Sequence, residues 1–259
     1  MRPLGVIGHL SRDVVAGAAP QPGGGPWHAA RALRILRADA LLFAKAGDRE
    51  FGPRLAQLGL PPSLTVGGET TGFSFSYDAD GVRTMRVDAL GEPWSVGDLP
   101  QALLRRVGWL QVAPLLHGDF DEDALEWLAR ERRVLFDGQG LVRRRELGEL
   151  VLDGTLDRSA LRHVSILKLS TEEAAALGDD PRELGVPEVL VTHGVEGATV
   201  YAPDGVHEVP ARRVDADPTG AGDGFAAGYL AARAHGHTPV SAARRATALV
   251  AAMLTGAGR

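Results

Sequence analysis

Residues 214–228 read Val214-Asp-Ala-Asp-Pro-Thr-Gly-Ala-Gly-Asp-Gly-Phe-Ala-Ala-Gly228, a glycine-rich turn that runs directly into an alanine-rich helix. Gly220, Ala221 and Gly222 carry little or no side chain. Their backbone N–H groups can therefore approach an anion closely at the positive end of the helix, where unpaired amides and the macrodipole favour negative charge. Asp223, in the same first turn, would be repelled by a permanently bound phosphate, but it makes sense as a base. A hydroxyl between Asp223 and a transferring phosphoryl group can give its proton to the carboxylate while the amides stabilise charge on the phosphoryl oxygens. A carboxylate that merely caps the helix would leave the surrounding glycines without a purpose.

Outward from this turn, short apolar runs at Leu4–Gly8, Leu41–Ala44, Trp109–Ala113, Val134–Asp137, Ile166–Leu169 and Val189–Thr192 are bounded by turn residues or charges, as buried strands are. Helical spacing at Trp27–Arg37 and Glu122–Glu131 lies between them, and the alternation predicts an α/β fold with a mostly parallel sheet covered on both faces. Thr71–Tyr77 and Val82–Val87, joined by Asp78-Ala-Asp-Gly81, break the rhythm as a hairpin that leaves the main sheet; a second hairpin surrounds Pro203-Asp-Gly205. The last sixty or so residues turn helical, at Gly224–His235 and Val240–Leu254.

The 259 residues suit one α/β domain with a small appendage. A net charge of −5 without long single-sign runs argues against a nucleic-acid partner, and the longest apolar stretch, near Ala246–Leu254, is too short to cross a membrane. With no signal-peptide pattern at MRPLGVIGHL, a cytoplasmic location is expected. The absence of cysteine excludes disulfides, thiolate catalysis and Cys-ligated metals. Arginine far outnumbers lysine, which is present only as Lys45 and Lys168; a GC-rich coding sequence explains that without phosphate binding.

Asp217-Pro-Thr-Gly-Ala-Gly-Asp223 resembles the signature of the ribokinase-like (pfkB) carbohydrate kinases. The resemblance implies a three-layer α/β/α fold with a small β-strand lid, residues 1–259 forming one kinase domain whose lid strands come from about 12–20 and 64–90. It implies Asp223 as catalytic base, Gly220, Ala221 and Gly222 as the anion hole, and a monovalent cation such as K+ near Asp217. Gly8-His-Leu-Ser-Arg-Asp13 is similar to the family's first strand and sugar-binding aspartate, making Asp13 a substrate contact. Gly23-Gly-Gly-Pro-Trp-His28 resembles the glycine pair that faces the substrate; Gly24 and Gly25 match it, and His28 stands where asparagine is usual, implying an altered acceptor. Ala46-Gly-Asp48 adds Asp48 to the substrate side.

Leu167-Lys-Leu-Ser-Thr-Glu-Glu173 aligns with the family's Asn-x-x-Glu element, with Ser170 in place of asparagine. The resemblance implies Glu173 acting on Mg2+ through water, and Lys168 neutralising phosphate charge. Val191-Thr-His-Gly-Val-Glu-Gly197 is similar to the family's nucleotide-side strand and turn, implying ATP contacts at Thr192, Gly194 and Gly197, with Thr219 and Thr247 nearby. Asp137-Gly-Gln-Gly-Leu-Val-Arg143 is similar to the inositol-kinase-like branch. The function implied is ATP-dependent phosphorylation of a hydroxyl on a sugar, cyclitol or nucleoside, by a homodimer formed through the lid. A ligand-binding or regulatory protein that has lost turnover is the competing reading, prompted by His28 and Ser170. A dinucleotide enzyme is disfavoured because residues 8–13 lack G-x-G-x-x-G. A metal site at His235-Gly-His237 lacks a third ligand.

Overall fold

The computed structural model describes residues 2–15, 18–47, 51–60, 62–77 and 83–256. Its strands are β1 (Leu4–His9), β2 (Ser11–Val15), β3 (Gln21–Gly23), β4 (Ala40–Ala46), β5 (Pro62–Val66), β6 (Thr71–Tyr77) and β7 (Arg83–Ala89). They continue as β8 (Trp109–Ala113), β9 (Arg133–Asp137), β10 (Gly148–Glu149), β11 (Ile166–Ser170), β12 (Glu188–Thr192), β13 (Gly197–Ala202) and β14 (Gly205–Pro210). The helices are α1 (Gly25–Ile35), α2 (Phe51–Ala56), α3 (Gln101–Leu104), α4 (Glu122–Ala129), α5 (Gln139–Val142), α6 (Thr171–Leu177), α7 (Ala221–Ala234) and α8 (Pro239–Leu254).

Among the described residues the large sheet has the order β14-β13-β12-β11-β9-β8-β1-β4-β5. Pairing is parallel from β12 through β5, and the β13–β14 hairpin extends it antiparallel. Its strands are apolar on both faces because both faces are covered. Val6 and Leu135 belong to cores shared with α1, α7 and α8, while their neighbours Ile7 and Phe136 join Leu125 and Leu128 of α4 on the opposite side. This is the three-layer α/β/α arrangement expected from the strand and helix alternation. No helix among the described residues is long and apolar enough to cross a membrane.

The smaller sheet runs β10-β7-β6-β2-β3, and its Phe73, Phe75 and Val87 pack on Leu115 and Leu116. Within the segments 12–20 and 64–90, expected to supply lid strands, residues 64–66 instead lie in β5, which pairs with β4 at the edge of the large sheet. Gln21–Gly23 and Gly148–Glu149 add two short strands to the small sheet. The turn read at Asp78–Gly81 lies outside the described residues.

Candidate active site

Gly220 sits at the N-terminus of α7 with φ 78°, a left-handed conformation that glycine adopts without steric cost, and a Cβ there would collide with the His28 imidazole. The preceding turn is fixed by Asp217, whose Oδ1 accepts from the Thr219 N–H at 2.9 Å and hydroxyl at 2.7 Å. The Ala221 N–H, expected to face an anion, instead donates to the Pro218 carbonyl at 2.9 Å and closes this turn. Among the described residues no side chain caps the helix, and the first-turn amides of Gly222 and Asp223 have no intrahelical partner. Across from them a Cβ on Gly25 would lie 3.2 Å from Asp223 Oδ1. The glycine at the start of α1 is what allows that carboxylate to approach.

Behind the turn the parallel register of β9 and β11 places Asp137 beside Lys168. The two form a buried ion pair, Nζ to Oδ2 3.1 Å. A Cβ on Gly222 would stand 3.1 Å from the same Nζ, so the lysine lies directly beneath the amide turn. Ser170 caps α6: its Oγ accepts from the Glu173 N–H at 3.2 Å, and Glu173 Oε2 accepts from the Ser170 N–H at 2.8 Å. The serine thus does the capping work of a small polar side chain and fixes Glu173 in the cluster. Arg143 approaches Glu173 Oε1 at 3.8 Å.

Three carboxylates, Asp137, Glu173 and Asp223, therefore share two cations, Lys168 and Arg143. The imbalance shows in their protonation. Burial first, then the Asp137 charge, pushes the Asp223 carboxyl up to about 7 against the pull of Lys168 and Arg143. Burial also raises Glu173, with Lys168 opposing it and Asp137 adding to it. For Lys168 burial alone would lower the pKa, but Asp137, Glu173 and Asp223 outweigh it and hold the ammonium firmly charged.

A cavity of about 690 Å³ joins Asp223 and Lys168 to Asp13, Gly24, Gly25 and His28. Asp13 on β2 lies over Gly23, where a Cβ would strike its carboxylate. Gly24 has φ 92°, and a Cβ there would meet the His9 carbonyl. His28 is buried and neutral: burial first, and then the Arg31 charge, lower its pKa to about 4, against Asp217. Its Nδ1 has no hydrogen-bond partner among the described residues. Asp48, expected on this side, lies outside the described residues.

On the other side of the turn, Thr192, Gly194, Gly197 and Thr247 line a mostly apolar cavity of about 300 Å³ floored by Phe225 and Val250. Two hydroxyls here are already engaged, Thr192 Oγ1 with the Leu169 carbonyl at 3.1 Å and Thr247 Oγ1 with the Arg244 carbonyl at 2.9 Å. Gly197 has a structural reason as well, since at φ 117° a Cβ would run into the Val209 carbonyl. Asp217 faces a third cavity, above α1, and Thr219 lines both that cavity and the one holding Asp223. Asp137, Gln139 and Arg143 join the site although sequence reasoning treated residues 137–143 only as a subfamily mark. An aspartate at the C-terminal end of a buried strand, the usual ligand edge of an open α/β sheet, was the signal available.

Comparisons with known proteins follow the same lines. Residues 157–259 match the model of the pfkB family carbohydrate kinases. An inositol 3-kinase of Zea mays is 31% identical over 215 residues, 78% of this chain and 55% of that protein. An ATP-dependent ribose-1-phosphate kinase of Halopiger xanaduensis is 28% identical over 229 residues, 81% of this chain and 72% of the other. The chain thus spans about half the length of the plant kinase, at 55%. Among solved structures, a pyrophosphate-dependent kinase in the ribokinase family, in its sulfate complex, matches with TM-score 0.80 at 24% identity, covering 97% of this chain and 95% of that one. A nucleoside kinase of Methanocaldococcus jannaschii matches with TM-score 0.71 at 19% identity, covering 98% and 93%. The glycine turn at the head of α7 lies within the stretch, residues 157–259, that matches the pfkB family model, and the fold of the chain is shared with kinases of the ribokinase family.

Proposed function

We propose that the protein transfers the γ-phosphoryl group of ATP to a hydroxyl of a small polyol, sugar, cyclitol or nucleoside. The observation that carries this reading is Asp223: a carboxylate with its pKa raised to about 7, in the first turn of α7, sharing a cavity with Asp13 and His28. A base is most effective when its pKa lies near the working pH. The acceptor hydroxyl lies against Asp223 and loses its proton to it as the oxygen attacks phosphorus. The Gly222 and Asp223 amides and Lys168 stabilise the phosphoryl oxygens. Asp13 accepts hydrogen bonds from neighbouring hydroxyls, His28 Nδ1 supplies one neutral polar contact, and the small sheet covers the acceptor and excludes water.

The cluster suits a divalent cation. Its three carboxylates exceed its two cations by one negative charge, and Glu173 and Asp223 are raised by burial first and by the neighbouring Asp137 charge. Among the described residues no group of three or more acidic or histidine ligands is assembled, so Mg2+ here would be held mainly by waters and phosphate oxygens in place of a protein cage. Glu173 and Asp137 would hold it through water, and it would supply charge neutralisation on the phosphates. A monovalent cation near Asp217 stays part of this reading; Asp217 Oδ1 also accepts twice from Thr219.

The apolar cavity beside Gly194 favours a nucleotide donor, since a base can lie there with its phosphates at the glycine turn. Pyrophosphate is the second reading, because a structurally similar kinase uses it. Product release from Mg·ATP or pyrophosphate, measured across cyclitols, pentoses, hexoses and nucleosides, decides between them. Acceptor-dependent turnover is expected with ATP. Asp223→Asn is expected to lower kcat by about 10²–10⁴-fold with little change in donor binding, and wild-type kcat/KM should fall on the acid side of about pH 7. Turnover retained in Asp223→Asn would remove the base assignment, and no turnover with any acceptor would favour a regulatory protein.

A further inference from the structure

The face of α1 beyond His28 is not used by this chemistry. Trp27, Arg31 and Arg34, at i, i+4 and i+7, share one side of the helix and floor a cavity of about 580 Å³. That cavity adjoins the one holding Asp223, since Asp13, His28, Phe75 and Thr219 line both.

Resting on the kinase reading above, we propose that the acceptor carries an anionic group, a phosphate ester or a carboxylate, held by Arg31 and Arg34 while its reacting hydroxyl lies at Asp223. Among the described residues neither guanidinium has an ion-pair or hydrogen-bond partner. Helix geometry supplies the spacing. Gly25 abuts Asp223, and Arg31, six residues on, lies about 9 Å further along the axis. Helical side chains lean back towards the N-terminus, so both guanidiniums reach towards the shared opening at His28. The Arg31 charge is close enough to depress the imidazole's pKa.

The cavity is polarised along the same direction. Asp13, over Gly23, and Asp217, tied to Thr219, stand at the glycine-turn end, where hydroxyls need acceptors. The arginines stand at the other end, where two planar forks match a phosphate or carboxylate. Between them His28 is neutral and neither repels nor neutralises the ligand. Trp27 and Phe75 offer apolar surface for the ring.

The test is a set of matched acceptors: ribose against ribose 1-phosphate, myo-inositol against its monophosphates, and glucose against gluconate. At least one anionic member should exceed its neutral partner in kcat/KM by about tenfold or more, and the double variant Arg31→Gln/Arg34→Gln should erase that preference, mainly through KM. Neutral acceptors used as well as anionic ones, or equal losses on both in the double variant, would overturn the inference. Calorimetric titration of the phosphorylated acceptors into Asp223→Asn protein, with and without the arginine substitutions, needs no turnover. Arginine-dependent binding without any phosphoryl transfer would count against the kinase reading alone, whereas turnover indifferent to the arginines would count against this inference alone.

Discussion

At the β9–β11 end of the site the charged groups hold one another: Lys168 Nζ lies 3.1 Å from Asp137 and Glu173 Oε1 lies 3.8 Å from Arg143. At the α1 end Arg31 and Arg34 are exposed and have no such partner among the described residues. Burial explains the difference. A lone ion taken out of water costs several kcal/mol even after relaxation, so the inner end must be preassembled with compensating charges. An exposed guanidinium stays hydrated and can wait for a ligand. On the proposed reading, the phosphoryl-transfer end is thus built into the protein's stability, while the arginine end is nearly independent of it and can change with little effect on folding.

The sharpest way to break that contrast is to remove one charge from each end. Lys168→Met leaves Asp137 buried and unpaired and should cost about 3–5 kcal/mol in denaturant unfolding. Asp137→Leu/Lys168→Met should recover much of that loss, because a buried pair exchanged for apolar groups is often close to neutral. Arg31→Gln should stay within about 0.5 kcal/mol, as exposed substitutions usually do. Comparable losses at Lys168 and Arg31 would mean that the two ends are not built differently.

A smaller effect sharpens the comparison at the backbone. Gly220 and Gly194 both have positive φ, 78° and 57°, but a Cβ at Gly220 would run into His28 whereas nothing lies within 4 Å of one at Gly194. Gly194→Ala should cost about 1–2 kcal/mol for the left-handed backbone alone, and Gly220→Ala about 1–3 kcal/mol more for the clash. His28→Ala in the Gly220→Ala background should return that extra part. If the two glycine variants unfold at the same denaturant concentration, the imidazole is not packed on the turn.

How much of this was legible in the sequence follows from the same contrast. The turn at 217–223 announces itself because its chemistry is contiguous: glycines, an aspartate and a helix start stand in one stretch. Most of the large sheet was legible because its inner strands are largely apolar runs bounded by turn residues or charges. Asp137 and Arg143 were not, since they matter only once the order β8-β9-β11 sets one strand end beside Lys168. Gln21–Gly23 and Gly148–Glu149, at three and two residues, are too short for any alternation to show. Residues 62–66 lie near the expected lid but pair with β4 through backbone bonds that residue type does not predict. Arg31 and Arg34 were lost among many arginines, and only the cavity they line sets them apart.

The last effect is one of pH, and it tests whether Asp223 strains the inner end. Its folded pKa of about 7 lies above the roughly 3.9 of an unfolded aspartate. Between those values the native state holds a proton that the unfolded state has released, so the contribution of this group to stability falls as pH rises through that window. Asparagine cannot ionise. Asp223→Asn should therefore gain stability relative to wild type as pH goes from 4 to 8, read as a widening gap in melting temperature, while catalysis is lost. A gap that stays constant with pH would mean that Asp223 titrates like an ordinary carboxylate. The surplus negative charge argued for the cluster would then be balanced inside the protein, leaving no electrostatic reason for it to recruit a divalent cation.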